Sequence, residues 1–195
     1  KRTDEKLIYP VGSIGKVFTA SLFAREMAAG KISLEDTIDQ MISGLPEKYY
    51  PTMLRLLTHH SGYGGIPFGF LESLFKFAVM NTENGILHIN PFRGYPEEAD
   101  MLQILCEKKL KLKDQDYKFE YSNFAYGVLG YILGKINDTD YFGVMEDYIK
   151  ELGLKETSLN NSSMTGYDKK ENPCKPWQWE STDIIAPAGA LLSSM

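Results

Sequence analysis

The chain has 195 residues, 43% of them hydrophobic and 24% charged, with a formal net charge of −5. That balance belongs to a packed protein of one to two domains and excludes an extended disordered chain. The acidic excess, with no cluster of Lys or Arg, argues against nucleic acid as a partner. No apolar run reaches the roughly 20 residues that a membrane-spanning helix needs.

In chain order, apolar spacing and the punctuation by Pro and Gly predict helices near 13–29, 34–43, 52–58, 69–80, 98–109, 123–137 and 140–151. Gly30 closes the first of these and Gly153 follows the last, as glycine does at helix ends. Strand signals are sparse, Lys6 to Tyr9 and Tyr117 to Tyr121 being the best. Residues 62–70 and 81–97 are rich in glycine and proline and read as long loops around a helix. The chain has no internal repeat and no low-complexity tract, and its many helix signals with sparse strand signals make the expected class α+β, mainly helical with little sheet.

Cys106 falls on the apolar face of a helix, Met101-Leu102-Gln103-Ile104-Leu105, and reads as a small core residue. Cys174 sits in the loop Asn172-Pro173-Cys174-Lys175-Pro176, and nothing in the spacing argues a bridge between the two. Of the three histidines only His59 and His60 are adjacent, which is no usual metal-ligand spacing. That pair ends a short helix before Gly62 and reads as a helix C-terminal cap. Neither a metal nor an organic cofactor is expected.

The residues that carry chemistry are Ser13-Ile14-Gly15-Lys16 and Tyr121-Ser122-Asn123, each at the mouth of a predicted helix. Residues three apart share a helix face, so Lys16 can reach the Ser13 hydroxyl. A lysine serves as a base only when burial or a nearby positive charge lowers its pKa. A tyrosine hydroxyl could pass the proton between serine, lysine and leaving group, and the Asn123 amide could hold a substrate carbonyl or orient the lysine. The plainer alternatives are an N-cap serine at Ser13 and, at the second motif, a buried tyrosine with a capping asparagine. A second Ser-x-x-Lys, Ser73 to Lys76, lies within an apolar run read as a buried or half-buried helix. There the serine N–H is tied into the helix and cannot serve an oxyanion.

Four segments, in one order, carry a resemblance. They are YPVGSIGKVFTASLFAREMAAGKISLED from Tyr9, LRLLTHHSG from Leu54, the long FEYSNFAYGVLGYILGK stretch from Phe119, and APAGALLSSM from Ala186. Together they resemble the class C β-lactamase and penicillin-binding-protein superfamily. The resemblance implies a β-lactamase/transpeptidase-like fold with Ser13 as nucleophile, Lys16 as its partner, Tyr121 as proton shuttle and Asn123 as substrate contact. It also implies that residues 62–100 form loops at the rim of the cleft, where Trp177 and Trp179 could join them, ordinary packing being the plainer reading for each. The expected location is extracytoplasmic.

Two features depart from the family pattern. Leu112 to Tyr117 replaces a Pro-Gly that many relatives carry just before the tyrosine motif. The Lys-Thr-Gly or His-x-Gly triad, which supplies the second oxyanion donor, has no counterpart after Tyr121. His60-Ser61-Gly62 precedes Tyr121 and belongs to another segment, and Ser158-Leu159-Asn160 reads as a turn. The chain is therefore expected to be a partial domain over 1–195, with Lys1 an internal start. One oxyanion donor is worth about 2–4 kcal/mol in the transition state, so little turnover is expected from this piece alone. Its sheet-facing surface should expose apolar area and favour self-association.

The implied activity is an acyl-serine hydrolase or transpeptidase, acting on a small-molecule or peptidoglycan-peptide acyl donor: a β-lactam, a D-alanyl-D-alanine peptide or an ester. Two alternatives share the fold: a β-lactam sensor that acylates without hydrolysing, and a catalytically silent scaffold.

Overall fold

A computed structural model describes residues 8–65, 97–107, 112–160, 166–167, 173–174 and 178–194. The helix expected over 69–80 with its Ser73 and Lys76, most of the 62–100 loop region and Trp177 lie outside the described residues.

Six α-helices are described: α1 (Gly15–Ala28), α2 (Ile38–Met41), α3 (Met53–Leu57), α4 (Glu98–Cys106), α5 (Asn123–Lys135) and α6 (Tyr141–Glu151). Their ends follow from local chemistry. Ser122 Oγ accepts the Ala125 N–H at 3.0 Å and Asp140 Oδ1 accepts the Gly143 N–H at 2.8 Å, satisfying donors at the starts of α5 and α6. Gly30 closes α1 in the left-handed region (φ +73°), and Lys31 N–H turns back onto the Glu26 carbonyl at 3.0 Å. The expected 34–43 helix shrinks to α2. Ser33 and Asp36 form a turn in its place, with Ser33 N–H donating to Asp36 Oδ2 at 2.7 Å.

Helix α5 is the axis of the fold. Phe124, Val128, Leu129, Ile132 and Leu133 are almost fully removed from water, and α1, α3, α6 and the 3-10 turn Ala186–Ala188 all pack on it. Gly127, Gly130 and Gly134 form a bare stripe along one side. A Cβ on Gly130 would sit 2.0 Å from Pro187 Cγ and one on Gly127 2.7 Å from the Ile184 carbonyl oxygen, so only glycine admits the 184–187 segment this close. Helix α1 turns Gly15, Lys16, Thr19, Leu22, Phe23 and Glu26 inward, a 3.6-residue stripe that includes three polar members.

The sheet is small. Strand β5 (Leu192–Ser193) lies between β1 (Tyr9–Pro10) and β2 (Thr157–Ser158), antiparallel to both, with Tyr9 and Thr157 opposite Ser193. A separate pair joins β3 (Gly166–Tyr167) to β4 (Pro173–Cys174). The α+β class therefore holds, mostly helical with one three-stranded sheet.

Several local expectations are corrected. Residues 117–121 form no strand, because their backbone bonds go elsewhere: Glu120 N–H donates to the His59 carbonyl at 2.9 Å. Ser158 lies in β2 rather than in a turn. Cys106 ends α4 exposed with a free thiol, while Met101, Ile104 and Leu105 carry that helix's buried face. Trp179, by contrast, is buried in the core, in keeping with ordinary packing as its plainer reading.

Candidate active site

Strand β1 leads into a 3-10 turn, Gly12–Ile14, that merges with α1. Gly12 takes the left-handed conformation (φ +54°) that the bend from strand to helix needs. Val11 N–H donates to the Leu191 carbonyl at 2.9 Å, fixing this entry to the approach of β5. Gly15 and Gly189 meet backbone to backbone, a Cβ on Gly15 falling 3.3 Å from Gly189 Cα. Two distant segments thus cross at glycines, and the crossing delivers the Ala188 carbonyl to the inner face of α1.

Lys16 occupies the centre of the crossing. Only 5% exposed, it donates from Nζ to the Ala188 carbonyl at 2.8 Å and to Ser13 Oγ at 3.4 Å. Its ammonium lies 4.7 Å from the centroid of the Tyr121 ring and 5.5 Å from that of Tyr126. Burial lowers the Lys16 pKa, and hydrogen bonding and charge interaction with Tyr121 oppose the shift without reversing it. For Tyr121, burial acts upward, but hydrogen bonds with Lys16 and Ser13 and the Lys16 charge bring the phenol below its ordinary value. Ser13, Lys16 and Tyr121 therefore meet, with each of the two ionisable groups shifted toward its proton-free form.

Asn123 stands at the first position of α5, half-buried, with its N–H on the Gly65 carbonyl at 2.9 Å. Among the described residues, Lys16 bonds to Ser13, Ala188 and the Tyr121 phenol rather than to the Asn123 amide. Ser122, between the two candidates, is fully buried. It caps α5 and donates to the Gly64 carbonyl at 2.8 Å, which gives it a structural place.

Two participants escape a reading of side-chain motifs. The Ala188 carbonyl belongs to the backbone, and only the Pro187–Gly189 neighbourhood signals that the chain turns there. His59 follows the C-cap of α3, in line with the helix-end reading, but is no simple cap. It adopts φ +61°, accepts the Ser122 N–H at Nδ1 (3.1 Å) and places its ring 4.6 Å from that of Tyr121. Burial lowers its pKa, helped by the charges of Lys16 and His60.

The support behind the site is polar and fully buried. Thr19 Oγ1 donates to the Pro187 carbonyl at 2.8 Å and lies 2.9 Å from the Tyr141 hydroxyl, tying α1 to α6 and to the 3-10 turn that carries Ala188. A cavity of about 560 Å³ lies elsewhere, between α4, α5 and the 181–187 segment, and none of Ser13, Lys16 or Tyr121 lines it.

A family model described as Beta-lactamase matches residues 1–194. Among curated proteins, a beta-lactamase of Pseudomonas fluorescens is 28% identical over 180 residues, which cover 88% of this chain and 44% of that protein. Among solved structures, a class C beta-lactamase in complex with cefoxitin is similar at a TM-score of 0.71 and 20% identity, covering 100% of this chain and 49% of that one. A Beta-Lactamase/D-Alanine Carboxypeptidase from Pseudomonas syringae is similar at a TM-score of 0.69 and 20% identity, covering 100% of this chain and 49% of its own. The chain spans less than half the length of the curated relatives it matches, and the structural likeness concerns the fold.

Proposed function

The chain belongs to the beta-lactamase family, and from that premise we propose that it carries the nucleophile of a penicillin-recognising acyl-serine hydrolase or transpeptidase. The observation that supports this reading is the meeting of Ser13, Lys16 and Tyr121 around one buried amine. Ser13 Oγ attacks the donor carbonyl, forming a C–O bond, and its proton passes to the Lys16 amine or the Tyr121 phenolate. The carbon–nitrogen or carbon–oxygen bond of the donor then breaks, and Tyr121 returns the proton to the departing atom. Water or an amine releases the acyl group by the same steps in reverse, and Asn123 contacts the donor beside Tyr121.

The acyl donor is a β-lactam, a D-alanyl-D-alanine peptide or an ester. A cefoxitin complex and a D-alanine carboxypeptidase among the structurally similar proteins keep the first two in view. In this chain no Lys-x-Gly or His-x-Gly follows Tyr121, so residues 1–195 alone turn over slowly for want of the second oxyanion donor. Among the described residues no helix is long and apolar enough to cross a membrane, and the proposed location is extracytoplasmic, as the family resemblance implies.

The test is intact mass after incubating the natural full-length protein with a β-lactam, beside a Ser13→Ala control. A lasting adduct on Ser13 identifies a peptidase or sensor, and drug loss that depends on Ser13 identifies a lactamase. Neither adduct nor drug loss would remove β-lactams from the donor list, and an ester or D-alanyl-D-alanine substrate that is equally inert would defeat the reading.

A further inference from the structure

Tyr121 is 44% exposed, so packing around its own side chain does little to hold the phenol in place. The backbone N–H groups of its neighbours on both sides are held instead, and by one residue. Glu120 N–H donates to the His59 carbonyl at 2.9 Å, and Ser122 N–H donates to His59 Nδ1 at 3.1 Å. The His59 ring lies 4.6 Å from the Tyr121 ring and 5.1 Å from the Tyr126 ring, each tilted by 36°. The edge of Phe119 meets it at 5.6 Å. Lys16 sits over the same two tyrosine rings, so Tyr121 and Tyr126 bridge the histidine and the lysine.

His59 itself holds a conformation that a non-glycine residue rarely adopts, φ +61°, and such geometry persists where the surroundings over-determine it. Its N–H contact to the Leu56 carbonyl (3.3 Å) and the Tyr126 hydroxyl on the Leu57 carbonyl (3.0 Å) lock the end of α3 onto α5 beneath it.

We propose that His59 is a positioning residue for the acyl transfer: in neutral form, through its carbonyl and Nδ1, it sets the backbone on both sides of Tyr121 and so aims the phenol at Ser13 and Lys16. The inference rests on the reading of Ser13, Lys16 and Tyr121 given above. An Nδ1 that accepts the Ser122 N–H leaves the ring proton on Nε2, and an imidazolium has no acceptor to offer. The titratable groups around the ring are Lys16 from α1, Tyr121 and Tyr126 from the α5 side, adjacent His60, and Glu120, which is joined through its backbone. Burial and the positive neighbours Lys16 and His60 keep the ring neutral to lower pH than an ordinary histidine. Protonation therefore releases Ser122 and loosens Tyr121 at the acid end of the pH range.

Two variants in the natural full-length protein separate this role from simple folding. His59→Gly accepts the left-handed backbone but removes the acceptor, and His59→Asn accepts the backbone and restores an acceptor that does not titrate. The expected result is a fall in the Ser13 acylation rate on the order of 10- to 100-fold in His59→Gly, with near wild-type behaviour in His59→Asn. His59→Asn should also lose the acid limb of the pH profile that His59 imposes. Independently of activity, the Tyr121 phenol, followed by NMR of labelled tyrosine, should titrate closer to an ordinary tyrosine in His59→Gly and stay lowered in His59→Asn. Should wild-type protein fail to acylate Ser13, the functional reading falls while the Tyr121 titration still decides whether His59 sets the phenol. An unmoved Tyr121 titration in His59→Gly, or an acid limb unchanged in His59→Asn, overturns the proposal.

Discussion

Lys16 Nζ donates to the Ala188 carbonyl oxygen at 2.8 Å, joining groups 172 residues apart in a buried contact. That bond fixes the amine on the side away from solvent and leaves its remaining protons for Ser13 and Tyr121. Burial is what makes the lysine chemically useful, since it disfavours the ammonium and lowers the pKa.

If Lys16 accepts the Ser13 proton, acylation should speed up as pH rises through an apparent pKa below that of ordinary lysine. The step belongs to the coupled Lys16 and Tyr121 pair rather than to either group alone. Lys16→Arg keeps the charge but cannot lose its proton, and should slow acylation by about 10²- to 10⁴-fold. Stopped-flow acylation across pH checks both statements, and a flat wild-type profile would count against lysine as the base.

Tyr121→Phe removes the hydroxyl while keeping the ring that Lys16 and His59 contact. Acylation should drop by about 10²- to 10⁴-fold, the usual range for a lost acid–base group. Because the side chain is 44% exposed, stability should move by no more than about 0.5 kcal/mol. Mass-detected acylation and a urea melt separate the two. A large loss of stability would assign the tyrosine a structural role.

The site was legible in the sequence where its members lie close together in the chain. Ser13 and Lys16 are one helical turn apart, and Pro10 and Gly12 before them mark a helix entry. Tyr121 was found by its neighbours Ser122 and Asn123. Ala188 could not be found in this way, because its contribution is a backbone carbonyl and any side chain could carry it. The strand expected at 117–121 failed for a related reason. Aromatic residues at 117, 119 and 121 alternate as in a strand, but the backbone N–H groups of 120 and 122 bond to His59 instead of to a ladder. Strands of two residues, such as β1, β2 and β5, are too short to leave an alternating pattern at all.

Glycines on α5 and at the end of α1 should respond differently to the same change. Gly130→Ala places a methyl 2.0 Å from Pro187 Cγ, and overpacking of this kind costs about 3 kcal/mol. It should also push Ala188 away from Lys16 and depress acylation. Gly30→Ala meets no atom within 4 Å but must hold φ +73°, which costs about 1–2 kcal/mol and leaves the site alone. Urea midpoints paired with acylation rates test the contrast, and equal effects on acylation would break the proposed link between Pro187 and the lysine.

Glu26 is the other charged member of the α1 inward stripe, 2% exposed, with Arg25 at 2.5 Å and Lys31 at 2.8 Å. Burial alone would raise its pKa, but hydrogen bonds and charges from Lys31 and Arg25 outweigh it and hold the carboxyl below its ordinary value. A carboxylate with a depressed folded pKa adds stability that is complete above the unfolded value of about 4.3. That stability is lost as pH falls through the lower folded value. Glu26→Gln should therefore destabilise the protein by about 2 kcal/mol at neutral pH. The effect is smaller than for a fully enclosed pair because Arg25 and Lys31 are 27% and 45% exposed and water screens them. The gap between wild type and Glu26→Gln should narrow as the medium is acidified below the unfolded carboxylate range. Urea melts at neutral and acid pH measure it, and a gap that persists undiminished in acid would show that the amide disturbs packing rather than charge.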